Sequence, residues 1–367
     1  MTAARRRAGG LAGRLVLAGL GLLVPLLAVE LLLRVAGPIL PGDYQTATFT
    51  SYSTAFGRQN RPYRGGYKHT SEFTTRVRVN SKRLRGPEID YVKPPGTFRT
   101  VVLGDSFTFA LQVDEEETFV ARLGERLEQT TGADLHFETI NAGTDGWSTV
   151  NEYVWFTAEG YRYEPDLVVL MFFVGNDPGE NADQIRTIAP GGRLIPETGA
   201  GGTWAEIRLA LSDLSMAYSF LEHGVLARLS APPEPTTPRT STSPGPRRTE
   251  AADQARKKRG WEVSEPLLRQ LREFCDARGI RLAVVGIPTA EQVDDAGRPA
   301  SPLREIAERA DVPAIDLLEP FRASPRDLSQ PIYFPKDRHW TAEGHDLGAR
   351  IVAAELRQRH LVPGTPR

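Results

Sequence analysis

From Thr100 onward, short apolar runs alternate with stretches in which apolar residues recur every three or four positions. The run Thr100-Val-Val-Leu103 closes on Gly104 and reads as a buried strand, because an uncharged run this short suits a strand covered on both faces. Phe119, Leu123 and Leu127 then fall on one side of a helix, with charges between them. The same alternation predicts strands over 137–141, 167–173, 282–287 and 314–317, and helices over 149–158, 267–274, 303–310 and 342–356. Residues 167–173 (LVVLMFF) are the most apolar short run and belong at the centre of a sheet. Five strands separated by helices predict an α/β fold whose five-stranded parallel sheet is covered on both faces. In such sheets ligands bind at the carboxyl ends of the strands.

Three stretches break this rhythm. The first 14 residues carry Arg5, Arg6, Arg7 and Arg14 and no acid, and the run from there to Arg34 is apolar apart from Glu30. That run is long enough to cross a bilayer core of roughly 30 Å, and arginines before it set its amino end inside. Residues 1–36 are therefore expected to be an N-terminal transmembrane anchor, with a cleaved signal peptide as the rival reading. Either way the rest of the chain lies outside the cytoplasm, in the periplasm or the extracellular space. Residues 37–97, rich in Tyr, Arg, Gly and Thr, read as an extended connector with short strands around 74–80. Within the main domain, 98–360, residues 231–260 begin with a Pro/Ser/Thr-rich tract and continue polar, a composition expected to be disordered. Just before it, 204–229 reads as one or two amphipathic helices.

Composition narrows the function classes. The 367 residues have a formal net charge of −1, so no global field draws the protein to nucleic acid, and the one dense basic cluster, Arg256 to Arg259, reads as a solvated run. A single cysteine, Cys275, allows neither an internal disulfide nor a cysteine-rich zinc site, and its helical setting reads as core. No phosphate-cradling glycine motif and no metal-ligand spacing occurs, so no cofactor and no metal are expected.

Four short constellations carry chemistry. Gly104-Asp105-Ser106 follows the first strand; a serine there presents its hydroxyl above the sheet edge, or the Asp simply caps a helix. Asn141-Ala-Gly143 follows the second; the glycine lets a backbone N–H approach a ligand, or only makes a turn. Gly175-Asn176-Asp177 follows the third; the Asn176 amide can donate to an oxyanion, or close an Asx-turn. Asp337-Arg-His339-Trp340 precedes the last helix; the carboxylate can hold the imidazole Nδ1–H and leave Nε2 for a serine, or the histidine lies at the surface. His345, inside the last helix, reads as packing. Three polar motifs ending three successive strands, with an Asp–His pair closing the chain, argue for one site. Asp105, Asp177 and Trp340 flank these residues as candidates to support it.

The order GDS, N-x-G, G-N-D and a late D-x-H-W resembles the SGNH hydrolase superfamily, the GDSL-type esterases, over roughly residues 99–356. The resemblance implies a flavodoxin-like three-layer sandwich with Ser106 as nucleophile and His339 as base. It further implies an oxyanion hole from Ser106, Gly143 and Asn176. The superfamily's acid lies three residues before the histidine, where this chain has Lys336. Asp337, two before, resembles the D-x-H arrangement of the alginate O-acetylation proteins, a departure that favours acyl transfer. The substrate implied is an O-acyl, chiefly O-acetyl, ester of an extracytoplasmic glycan or a similar small ester, with no nucleic-acid partner.

Overall fold

The computed structural model describes residues 23–33, 49–53, 56–129, 135–188, 194–196, 215–219, 250–324 and 331–363, with a few single residues besides. In chain order its strands are β1 (Thr50–Ser53), β2 (Gly57–Asn60), β3 (Gly65–His69), β4 (Thr74–Arg78), β5 (Thr97–Gly104) and β6 (His136–Gly143). They continue with β7 (Leu167–Phe173), β8 (Ile185–Ile188), β9 (Leu194–Pro196), β10 (Arg281–Ile287) and β11 (Ala314–Asp316).

Five of these form one parallel sheet in the order β11-β10-β7-β5-β6. Taken in sequence, that is the 2-1-3-4-5 order of the flavodoxin-like sheet, whose switch point lies between β5 and β7. The expected strands therefore all occur, within a few residues at each end. Side-chain alternation explains why β7 carries no charge. Leu167, Val169 and Met171 enter the apolar layer shared with helices Phe119–Glu128, Leu318–Ala323 and Ala342–Gln358. Val168, Leu170 and Phe172 enter the opposite layer, with helices Thr149–Ala158, Glu250–Asp276 and Leu303–Arg309. A strand buried on both faces has no position at which a polar side chain meets water.

Helix Glu250–Asp276 corrects two boundaries. It begins 17 residues before the expected helix (267 − 250) and runs through 250–260, which composition had placed in a disordered insertion. Two contacts account for this. Gly260 is buried where an added Cβ would run into the Pro178 carbonyl, so the helix lies tight against helix Asp177–Gln184. Arg256, from the basic cluster, pairs with Asp183 at 2.8 Å. The cluster is thus partly an interhelical contact. Residues 231–249 lie outside the described residues, as does most of 204–229, of which Met216–Ser219 is helical.

The connector is more ordered than expected. It forms two antiparallel hairpins, β1–β2 and β3–β4, and Phe49, Val77 and Val79 pack with Phe109 and Leu111 of the main domain. Most of the expected anchor, 1–36, lies outside the described residues; 23–33 is helical, with Leu23, Leu27, Leu31 and Leu32 more than half exposed. Among the described residues, no helix is long and apolar enough to cross a membrane. Glu30, the one acid in the apolar run, accepts from the Ser215 hydroxyl at 2.9 Å and the Ala217 N–H at 3.0 Å.

Candidate active site

Ser106 opens the short helix Ser106–Phe109 directly after β5. Asp105 caps that helix, accepting from Phe107 N–H at 2.9 Å, a cap that does not use the Ser106 hydroxyl. The turn is braced from below by Arg85 of the connector. Its guanidinium, buried, donates to the Phe109 and Ala110 carbonyls and, at 2.6 Å, to Val113. Burial lowers the Arg85 pKa to about 10, with Glu115, Asp114 and Glu116 opposing the fall. Three carbonyl acceptors on one buried cation fix the chain that leaves the Ser106 turn.

His339 comes to Ser106 from the other end of the sequence. The Ser106 Oγ–His339 Nε2 distance is 2.8 Å, and His339 Nδ1 lies 2.7 Å from Asp337 Oδ1. Ser106 and His339 are each 6% exposed, largely shielded from bulk water. Burial works to lower the His339 pKa, but the Asp337 hydrogen bond and charge, with Asp105 and Asp145 behind them, leave it raised. Burial works to raise Asp337; the bond to His339, with a further one from Gln112, leaves it lowered. The imidazole ring packs 4.7 Å from the Phe107 ring, which also packs against Trp340. Trp340 is fully buried among Phe107, Phe119, Phe321 and His345, so its part is to seat the loop. His345 is packing, as expected. Burial drops its pKa to about 3, and its neutral Nδ1 accepts from Phe119 N–H at 3.1 Å.

Asn176 stands at the end of the β7 loop, at the N-cap position of helix Asp177–Gln184, with no capping bond from its side chain. Its Nδ2 donates to Asp105 Oδ2 at 3.3 Å, which joins the first and third motifs across the switch point. One amide hydrogen is left for another acceptor. Asp177 is fully buried and accepts from Phe173 N–H at 2.9 Å, which fixes the β7 loop.

Gly143 departs from expectation. Its N–H donates to Asn141 Oδ1 at 3.0 Å and is occupied. A Cβ at this position would run into Phe109 N and lie 2.8 Å from Thr108 Cβ. Gly143 is needed for close approach to the Ser106 turn rather than as a donor. Three residues on, Gly146 takes φ +75° in the same loop, beside the Arg58 side chain.

Several residues of the site had no signal in the sequence. Arg58 pairs with Asp145 at 2.6 Å and Asn60 Nδ2 donates to the Gly143 carbonyl at 2.9 Å, so β2 of the connector holds the loop after β6. Glu152 is fully buried, with neither carboxyl oxygen hydrogen-bonded. Burial raises its pKa well above the ordinary range, and Asp105 and Glu180 add to the rise. Asp177 is raised well above its ordinary value in the same way, Asp105 is raised to about 6 and Glu180 to about 8, burial leading in each. Among the described residues, no group of three or more His, Cys, Asp or Glu is arranged to hold a metal ion.

A parallel α/β sheet with a Ser–His–Asp chain at its switch point is the build of an acyl-transfer enzyme. Residues 247–367, a third of the chain, match the family model described as SGNH hydrolase-like domain, acetyltransferase AlgX. The matched stretch contains the D-x-H block of Asp337 and His339 and accords with the resemblance read from the motifs: the chain is similar to the SGNH hydrolase-like enzymes, ester hydrolases or acyltransferases. No curated protein matches the chain. Among solved structures it is similar to a two-domain esterase (CEX) active on acetylated mannans, at 16% identity and TM-score 0.40. That match takes in 74% of this chain and 52% of the other, so the chain spans about half the length of that esterase. It is also similar to the acetyl xylan esterase AlAXEase (14% identity, TM-score 0.41, 71% of this chain and 100% of that one). A third is Axe2, an acetylxylan esterase from Geobacillus stearothermophilus (12%, TM-score 0.39, 73% and 96%).

Proposed function

We propose that the protein is a serine esterase, anchored in the membrane by its N-terminal helix, that acts outside the cytoplasm on O-acetyl esters of a glycan. The observation that carries the reading is the unbroken chain Ser106 Oγ–His339 Nε2 (2.8 Å) and His339 Nδ1–Asp337 Oδ1 (2.7 Å). In this reading Ser106 Oγ attacks the ester carbonyl carbon while His339 Nε2 takes its proton, and Asp337 stabilises the imidazolium. The tetrahedral oxyanion accepts from the Ser106 N–H, which as the first of a helix has no intrahelical acceptor, and from the Asn176 amide. The C–O bond to the sugar then breaks, His339 protonates the departing alkoxide, and an acyl-Ser106 intermediate remains. A water that gives its proton to His339 attacks the acyl carbon, the bond to Ser106 Oγ breaks, and His339 returns the proton to Oγ as the acid leaves. A sugar hydroxyl in the same place completes transfer.

Transfer to an envelope polysaccharide is the second reading, favoured by the AlgX family model and the two-residue spacing from Asp337 to His339. The anchor rests on the arginines before the apolar run, and the Glu30 carboxylate, which in an apolar run needs partners, finds them at Ser215 and Ala217. The test is to incubate the full chain in detergent with an acetylated oligosaccharide, with and without an unacetylated acceptor. Free acetate supports the esterase; acetyl appearing on the acceptor supports transfer. Binding of the glycan with neither product, by wild type and Ser106→Ala alike, would leave a binding module.

A further inference from the structure

The loop that carries Asp337 and His339 is folded back on itself. Phe334 N–H donates to the His339 carbonyl at 2.9 Å, and Arg338 N–H donates to the Phe334 carbonyl at 3.0 Å. This closure puts Arg338 at φ +69°, a left-handed conformation that a residue with a Cβ adopts only where its surroundings fix it. The surroundings do. On one side the Arg338 guanidinium reaches Glu291 Oε1 at 3.0 Å. On the other, Glu72 accepts the Lys336 N–H on Oε1 at 2.9 Å and the Asp337 N–H on Oε2 at 2.8 Å. Glu72 belongs to the β3–β4 turn, 265 residues upstream of Asp337 (337 − 72). That turn is itself pinned, since Thr70 Oγ1 accepts from Glu72 N–H at 3.2 Å and from Phe73 N–H at 3.1 Å. The next side chain, Phe73, packs its ring 5.1 Å from that of Phe334.

We infer that Glu72 is a positioning residue for the Asp337–His339 pair, so that the connector hairpin is a working part of the active site. The inference rests on the ester-cleaving reading above. A carboxylate that spans two successive N–H groups fixes the plane of the intervening backbone, and with it the direction in which the Asp337 side chain leaves the loop. Glu72 thereby acts on His339 through Asp337. Without it the loop has one fewer restraint on a disfavoured backbone, and Asp337 Oδ1 spends less time against Nδ1.

The test uses the full chain in detergent as wild type, Glu72→Ala, Glu72→Gln and Glu88→Ala. Glu88 is the control, because it makes the same two-pronged capture elsewhere in the connector, accepting from the Ser81 N–H and hydroxyl. Two quantities are read: kcat and KM on an aryl acetate, and the titration midpoint of the His339 imidazole by NMR. The charged groups facing His339 are Asp337 on its own loop, Asp105 after β5 and Asp145 after β6. Only the first depends on Glu72, so a change in the midpoint reports the Asp337 contact. Glu72→Ala should lower kcat at least about tenfold with KM nearly unchanged, and should lower the His339 midpoint by about half a unit, a threefold change in the protonation equilibrium. Glu72→Gln keeps one acceptor oxygen and should fall between; Glu88→Ala should match wild type in both. Wild-type kcat and midpoint in Glu72→Ala would overturn the inference, as would a loss of kcat with no change in midpoint or equal losses in Glu88→Ala. If Glu72→Ala fails to fold, Glu72→Gln decides on the same two readouts. If the wild type cleaves no ester, the esterase reading fails, and the His339 midpoint still decides this one.

Discussion

Replacing Asp337 by Asn keeps the side chain's shape and removes its charge. In the native site the 2.7 Å contact sets the imidazole proton on Nδ1, which leaves the Nε2 lone pair facing Ser106 Oγ. An amide at 337 can turn either way. With its NH2 toward Nδ1 the ring proton moves to Nε2 and the base is lost. With its oxygen toward Nδ1 the base survives, but the imidazolium formed during attack has no carboxylate partner. Stripping one partner from a buried ion pair costs about 3–5 kcal/mol. At about 1.4 kcal/mol per factor of ten, that is roughly 10²- to 10⁴-fold in kcat. The His339 side chain is 7% exposed but that of Asp337 is 28% exposed, and solvent reaching Asp337 favours the lower half of that range. The same substitution in a serine-protease triad costs about 10⁴-fold, the upper end. The assay is aryl acetate cleavage from about pH 5 to 9. Because kcat/KM needs neutral His339, whose pKa Asp337 helps to raise, the acid limb should also move to lower pH in Asp337→Asn. Lys336→Ala, which removes a cation unable to accept the Nδ1 proton, should stay near wild type. An Asp337→Asn enzyme within about threefold of wild type at every pH would reduce the triad to a Ser106–His339 dyad.

Asn176→Ala should cost about 10²- to 10³-fold in kcat, the ordinary effect of removing one oxyanion donor, and a harmless substitution would withdraw that role. Gly143→Ala forces a Cβ against the Ser106 turn and should destabilise the fold by about 1–3 kcal/mol, read as a lower melting temperature. Lost activity at an unchanged melting temperature would instead return Gly143 to the oxyanion hole. Burial raises the Glu152 pKa well above its ordinary 4.5, so the folded protein holds this proton over a pH range in which the unfolded chain releases it. Its contribution to stability is therefore full below that value and is lost as pH rises toward the raised native pKa; Glu180 does the same up to about 8. Melting temperature should accordingly fall from about pH 5 to 8, and Glu152→Gln, neutral throughout, should fall less steeply; identical slopes would contradict a buried neutral acid at 152.

What the sequence disclosed divides by range. β7 and helix Thr149–Ala158 begin and end where periodicity puts them, because both are set by local burial. Ser106, Asn176, Asp337 and His339 were legible because each follows a strand or precedes a helix, where the fold builds its site. The start of helix Glu250–Asp276 was not. Its first ten residues are polar apart from three alanines, and what holds them is the fit of Gly260 on Pro178 and the pairing of Arg256 with Asp183. For Gly143 the sequence does not separate the two roles, because a strand-end glycine looks alike whether it donates or merely makes room, and the N–H is held by Asn141 Oδ1. Glu72 and Arg85 sit in ordinary polar patterns with partners 264 and 265, and 24, 25 and 28, residues away, and Glu152 has no hydrogen-bond partner, so no spacing announces them.

The central claim is that Ser106 is a nucleophile activated by His339. It is tested most directly by treating the folded full-length chain with an alkyl fluorophosphonate and locating the adduct by peptide mass spectrometry. The expected result is stoichiometric phosphonylation of Ser106 in wild type, sharply slower labelling in His339→Ala, and none in Ser106→Ala. An unlabelled wild-type protein, or an adduct on any other residue, would contradict it.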